Sequence, residues 1–192
     1  RTTPMDQRRD ALLAASRFVQ MVERVVRAEP GRQVGTVGQI RAEPGAPNVI
    51  PGRVTMSLEL RDLDAAKVRR LFAAIEREAR AIGEGAGTTF AFAVLTDHGP
   101  ALCDPAMQQL VADSARALGL ASRTLPGGAG HDAQEMARLG PTGMIFVPSM
   151  GGISHSPKEF TAPEDCANGA NVLLHAVLAA DRRGGRAGAP RP

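Results

Sequence analysis

Two short loops hold the residues of this chain best suited to chemistry. The first runs Gly127-Gly128-Ala129-Gly130-His131-Asp132, and the second is GGISHSPKE, Gly151 to Glu159. Each sets an imidazole near a carboxylate: His131 beside Asp132, and His155 four residues before Glu159. Small residues at 127–130 let a ligand approach the backbone. A helix start after Asp132 offers N–H groups to an anion or a polarised carbonyl oxygen. A lone histidine in a Gly/Pro loop is ordinarily a surface residue, and a Gly/Ala run before a helix is ordinarily turn geometry. Two histidine–carboxylate pairs on neighbouring loops therefore leave two alternatives open, a metal or acid–base site and plain surface hydrogen bonding. The chain has no Ser-centred nucleophile elbow, P-loop or Rossmann fingerprint.

The two loops flank the apolar run GMIFVPS, residues 143–149, which reads as a short buried strand. In open α/β sheets ligands collect at the carboxyl ends of strands, where the His155 loop would lie. A helix follows, opened by Thr161 with Glu164 three residues on, the pattern of a capping box. Before the loops, Asp104-Pro105 marks another helix start, with Met107, Leu110, Val111, Ala115 and Leu118 as its apolar stripe up to Gly119. This helix–strand alternation from residue 99 to 182 reads as part of an α/β layer.

The first half has a different order. Residues 5–26 read as a helix with Leu12, Ala15, Phe18 or Val19, Val22, and Val25 or Val26 on one face. RQVGTVGQIRA and RVTMSLELRDL read as strands. The second alternates cleanly, with Val54, Met56, Leu58 and Leu60 on one side and Thr55, Ser57, Glu59 and Arg61 on the other. A helix capped by Asp64 spans residues 64–82, and TTFAFAVLTD reads as a closing strand. The order α-β-β-α-β is that of a ferredoxin-like βαββαβ unit without its first strand. The chain also opens on Arg1 in mid-pattern, so residues preceding it are expected to be missing. The boundary falls at residues 98–104, giving units 1–98 and 99–182 and a disordered basic tail, 183–192. In this light Asn48, in PNVIP, is a turn residue and Arg61 a solvated charge.

Bulk properties narrow the class. With 43% hydrophobic and 22% charged residues, the composition is that of a soluble globular protein. Trp and Tyr are absent, which argues against single-strand nucleic-acid binding by aromatic stacking. The net charge of +3 is modest and much of it lies in the tail, so no nucleic-acid partner is expected. The two cysteines, Cys103 and Cys166, stand far apart and read as free thiols in a cytoplasmic protein. No apolar window is long enough for a membrane span, and no membrane partner is expected.

Taken together, TTPMDQRRDALLAA, PNVIPGRVTMSLELRD, GAGHDAQ and MIFVPSMGGISHSPKE resemble the metal-dependent amidohydrolases of the peptidase M20 superfamily. The resembling branch holds N-carbamoyl-L-amino-acid hydrolase, β-ureidopropionase and allantoate amidohydrolase, and the resemblance covers nearly all of the chain except the basic tail. It implies an α/β fold: an α+β lid, which also dimerises, followed by the C-terminal part of a zinc-peptidase-like catalytic domain. It implies two divalent metals per site, zinc or manganese, with cobalt or nickel as alternatives, and a small carbamoyl or ureido amino acid as substrate. His155 matches the last metal ligand, Arg61 the lid arginine that grips the substrate carboxylate, and Asn48 a lid asparagine bonded to substrate. Gly128, Ala129, Gly130 and His131 match the substrate-facing loop, with Asp132 and Glu159 supporting it from behind. Gly127 stands where the family usually has serine.

The same resemblance places the other metal ligands, the general-base glutamate and the lid histidine upstream of Arg1. No catalytic acid or base is therefore expected in these residues. Two rival expectations stand beside this one: a non-catalytic dimerising module, and an M20 aminoacylase or dipeptidase.

Overall fold

In the computed structural model of the chain, residues 3–97 and 99–187 are described. The chain divides into two compact units, Arg1–Pro100 and Ala101–Pro192.

The first unit opens with helix α1, Ala11–Ala28. The Asp10 carboxylate accepts the N–H groups of Leu12 and Leu13 at 2.9 and 3.1 Å and so fixes where the helix begins. The helix is therefore shorter than the apolar pattern predicts, and Met5–Gln7 form a separate 3-10 turn. Leu12, expected on the buried face, is 37% exposed in the first turn. Phe18 is buried and Val19 is not, which resolves the choice the sequence left open. Helix α2, Ala65–Ala86, is capped by Asp64 and buries Leu71, Ile75, Ala79 and Gly83, spaced four apart, toward the same core as α1.

Between the helices lie β1 (Val34–Thr36), β2 (Ile40–Glu43), β3 (Arg53–Met56) and β4 (Glu59–Arg61). β1 pairs antiparallel with β4, Val34 opposite Arg61, and β2 with β3, Ile40 opposite Met56. Both pairs belong to one hairpin with an interruption. Residues 37–39, three in number, face only Ser57 and Leu58, so one extra residue is inserted on the first strand. The Ser57 side chain and backbone close the gap: Gln39 N–H donates to Ser57 Oγ and Ser57 N–H to the Gln39 carbonyl. Each long strand expected from the sequence is thus broken in two. The apolar alternation survives the break, because Met56, Leu58 and Leu60 pack on the helix core.

The closing strand does not form. Residues 88–97 alternate in burial as far as Phe92, but no ladder is made along them among the described residues. Phe90 and Phe92 instead dock by their rings, 5.5 and 6.1 Å from Phe18. The segment leaves α2 through Gly87 at φ +63°, with Thr88 N–H donating to the Gly83 carbonyl at 2.9 Å. A Cβ on Gly83 would stand 2.7 Å from the Thr88 carbonyl oxygen, which is backbone and cannot swing away. Gly83→Ala is therefore expected to destabilise this unit by about 1–3 kcal/mol. That reverses the ~1 kcal/mol gain alanine ordinarily brings to a helix interior. A thermal unfolding midpoint at or above that of the parent chain would defeat the expectation.

In the second unit α3 (Pro105–Ala117) begins as expected at Asp104, whose carboxylate accepts the N–H groups of Ala106 and Met107. α4 (Ala133–Met136) is a single turn, and α5 runs Pro163–Ala187. Pro163, with no N–H to give, sets the start of α5 one residue later than the capping-box pattern suggests. The Ala162 carbonyl, not Thr161, accepts the first helical bonds, from Asp165 and Cys166. α3 and α5 pack together, burying Leu110, Ala115, Val172 and Ala176. Residues 143–149 are extended but form no strand, and they are not buried: Phe146 is 48% exposed and Val147 39%. The apolar run approaches α3 at Gly143 and α5 at Val147. An added Cβ on Gly143 would meet Met107, and one on Gly169 of α5 would meet Val147. Among the described residues no helix is long and apolar enough to cross a membrane. The last residues of the basic tail, 188–192, lie outside the described residues, as does His98.

Candidate functional site

Arg61 ends β4, at the open end of the hairpin, opposite Val34. Strand alternation puts Glu59 on the same face, and the Glu59 carboxylate holds the guanidinium fork. Arg61 donates from Nε at 2.8 Å and from Nη2 at 2.5 Å, both to Glu59 Oε1. The two side chains are 46% and 59% exposed, so water weakens the pair to about 0.2–1 kcal/mol. Glu59 was not a sequence candidate, yet the two-residue spacing on the polar face of an alternating strand was its signal.

Asn48 sits in the connection between β2 and β3, exposed, in a turn closed by Val49 N–H to the Ala46 carbonyl at 3.3 Å. It stands at the far end of the hairpin from Arg61, so the ladder itself does not bring these two candidates together.

Directly after Arg61, the Asp62 carboxylate accepts the Asp64 N–H at 2.8 Å and the Lys67 ammonium at 3.1 Å. The Asp64 N–H does most to hold this carboxyl below the usual carboxylate range, and Lys67 adds to it against the opposing effect of burial. Neither residue was singled out from the sequence, where a lysine three residues after an N-cap looks like any solvated charge.

In the second unit, Gly128 and Gly130 are exposed, Ala129 and His131 half-buried, and Asp132 exposed. The His131 ring stands edge-on to Phe146, centroids 5.6 Å apart, and this contact joins the glycine loop to the apolar run. The His131 N–H donates to Gln134 Oε1 at 3.3 Å, so this amide is already engaged within the loop. Asp132 makes no side-chain cap on the one-turn helix it precedes. Gly127 lies beneath: a Cβ there would meet Met144, Phe146 and His131 Nε2 at 3.5–3.8 Å, ordinary contact distances. The fold does not demand glycine at that position.

His155 is exposed on a loop that closes on itself. Ser149 Oγ donates to the Ile153 carbonyl at 2.6 Å, and Met150 N–H donates to the Phe160 carbonyl at 2.8 Å. The His155 N–H donates to Glu159 Oε2 at 2.8 Å, and its Nδ1 lies 3.0 Å from Ser154 Oγ. Glu159 thus grips the backbone of His155. His155 adopts φ +56°, the left-handed region, and is the sole non-glycine to do so among the described residues. Single residues in that conformation occur where surroundings enforce them, often at functional sites. Among the described residues no three His, Cys, Asp or Glu side chains converge to hold a metal ion. Cys103 and Cys166 are free thiols.

With this geometry in place, similarity to known proteins can be weighed. The family model described as peptidase family M20/M25/M40 matches residues 11–179. An N-carbamoyl-L-amino acid amidohydrolase of Geobacillus stearothermophilus is 41% identical over 175 residues, covering 91% of this chain and 42% of that protein. A ureidoglycolate hydrolase of Arabidopsis thaliana is 37% identical over 171 residues, covering 88% and 36%. A hydantoinase/carbamoylase family amidase from Burkholderia vietnamiensis superposes with a TM-score of 0.85 at 39% identity, over 93% of this chain and 43% of that one. The chain spans about two fifths of the length of these relatives.

Proposed function

Because the chain belongs to peptidase family M20/M25/M40, in its carbamoylase and amidohydrolase branch, we propose that it serves hydrolysis of a linear C–N bond in N-carbamoyl-amino acids or related ureido acids. In a protein of the relatives' full length, these residues supply the grip on the substrate carboxylate and one metal ligand. The observation that carries the reading is Arg61, whose fork already closes on a carboxylate oxygen of Glu59 at the solvent-accessible end of its strand. Substrate exchanges one carboxylate for another, and a planar guanidinium suits that exchange better than an ammonium does.

The other residues orient the ureido end. Asn48 offers an amide to substrate, and the Gly128–Gly130 backbone lets the ligand approach without side-chain obstruction. His131, steadied by Phe146, and Asp132 border that approach. Two divalent ions, zinc or manganese with cobalt or nickel as alternatives, belong to the same proposal. His155 brings one imidazole to them, whereas such a centre takes three or four ligands. By themselves the described residues therefore do not fit a metal centre, and they contribute binding and orientation. Pairing of two copies through the first unit is part of the proposal as well.

The test is Arg61→Ala in a protein of the relatives' full length carrying these residues. Loss of a charge-assisted pair is worth about 1.5–3 kcal/mol, so kcat/KM for an N-carbamoyl-amino acid should fall by about 10- to 150-fold. The carboxamide analogue of the same substrate should be turned over equally by both proteins. An equal loss on both substrates would remove Arg61 from the carboxylate role.

A further inference from the structure

Resting on the reading of Arg61 as the carboxylate grip, we propose that Lys67 is a positioning residue: its ammonium ties the strand end carrying Arg61 to the end of α1 and so fixes where the guanidinium meets substrate. The contacts form one continuous chain. Gln33 donates from its side-chain amide to the Val26 carbonyl at 2.9 Å and also to the Glu29 carbonyl, at the last turn of α1. Its side-chain oxygen accepts from Lys67 Nζ at 3.3 Å, and Lys67 donates as well to the Pro30 carbonyl at 3.4 Å. The third donor of the ammonium goes to Asp62 Oδ2, while Asp62 Oδ1 takes the Asp64 N–H. Gln33 directly precedes Val34 and Asp62 directly follows Arg61, and Val34 and Arg61 face each other in the ladder. Lys67 therefore clamps the open end of the hairpin from both strands at once.

Two further observations mark this as a built contact. The Lys67 and Asp62 side chains are 16% and 11% exposed, whereas in every other ion pair among the described residues both partners are more open. A half-buried pair yields little net stability against its desolvation, and fixing register is its best-attested use. Gly31 also makes room for it. This glycine adopts φ +133°, and a Cβ there would lie 2.6 Å from Lys67 Nζ and 2.8 Å from Gln33 Oε1. No L side chain fits that backbone with the ammonium in place. Glu29 and Arg70 pair nearby at 3.4 Å, which leaves Asp62 as the carboxylate that neutralises Lys67.

The clamp is tested first on the 192-residue chain by amide hydrogen exchange. In Lys67→Met, protection of β1 and β4 should drop at least about tenfold while the buried turns of α1 and α2 keep theirs. Asp62→Asn keeps an acceptor for Asp64 and should show the same pattern, more weakly, if Lys67→Met folds poorly. Unchanged protection in β1 and β4 overturns the proposal, and so does an equal loss through both helices, which would make Lys67 merely structural. The second arm uses the full-length protein. There Lys67→Met should raise KM for the carboxylate substrate about tenfold or more, with kcat within about twofold and the carboxamide analogue unaffected. Unaltered KM would overturn the link to substrate even with β1 and β4 loosened. If Arg61→Ala itself leaves KM unchanged, the carboxylate reading fails, and the exchange experiment alone decides whether Lys67 positions Arg61.

Discussion

Phe18→Ala is expected to remove about 3–5 kcal/mol from the stability of the first unit. That is a large share of the roughly 5–15 kcal/mol by which a domain of this size is ordinarily stable. Phe18 is 2% exposed at the centre of a cluster with Met21, Val22, Leu71 and Ile75. The loss should fall at the upper end of that range, because the same ring also holds Phe90 and Phe92. Phe90 stacks on it at 5.5 Å and Phe92 tilts against it at 6.1 Å, and that segment has no ladder of its own among the described residues. Phe92 keeps a second support in Phe72, edge-on at 5.6 Å, so Phe90 should loosen first. Without Trp or Tyr the chain is best followed in urea by far-ultraviolet circular dichroism, with hydrogen exchange reporting on residues 88–92. Leu12→Ala, in the same helix but outside the core, should fall within about 0.5 kcal/mol of the parent. A Phe18→Ala loss below about 1 kcal/mol would show that the helix pair does not depend on this ring.

The contrast between Phe18 and Leu12 shows what was legible in the sequence. Helical periodicity marks a face, and Asp64 and Asp104 mark starts, so those helices followed from the residues, whereas the cap at Asp10 was not read and the first helix begins six residues later than its pattern. Alternation likewise told which side of RVTMSLEL packs inward. It did not reveal the inserted residue at 37–39, because a bulge leaves the alternation of the opposite strand untouched. TTFAFAVLTD and GMIFVPS carry the composition of strands, yet a strand is a relation between two segments, and pattern within one segment does not supply the neighbour. The candidate site divides in the same way. Residue types drew attention to His155 and the glycine loop, and the family resemblance to Arg61, whereas Gln134, Phe146 and Lys67 enter only through their contacts. Glu59 could have been found by its two-residue spacing from Arg61, whereas Lys67 has no such signature until its partners are seen.

His155→Ala should abolish turnover in a protein of the relatives' full length and weaken binding of one metal ion by more than about 100-fold. Changes to residues that merely support a ligand already cost 10- to 100-fold, and removal of the ligand itself must exceed that. The local structure gives a reason to single out this histidine from His131 and His175. Holding a non-glycine residue at φ +56° costs on the order of 1 kcal/mol or more. The loop meets that cost by pinning the His155 N–H on Glu159 and by closing Ser149 onto Ile153. An imidazole that met only solvent would gain nothing from such a frame, whereas a ligand that must present one nitrogen along one direction would. His155→Gly separates the two effects: it relieves the backbone and should equal or exceed the parent in thermal stability, yet be as inactive as His155→Ala. Glu159→Gln retains an acceptor for the His155 N–H and should lose metal more modestly, by about 10-fold. Metal content after exhaustive dialysis and hydrolysis of an N-carbamoyl-amino acid are the two measurements. The 192-residue chain, which brings one imidazole and no convergent ligand set among its described residues, should show no turnover above its own His155→Ala variant. Full metal content and activity in His155→Ala would strip this residue of its role, and turnover by the chain alone would require a centre built from other residues.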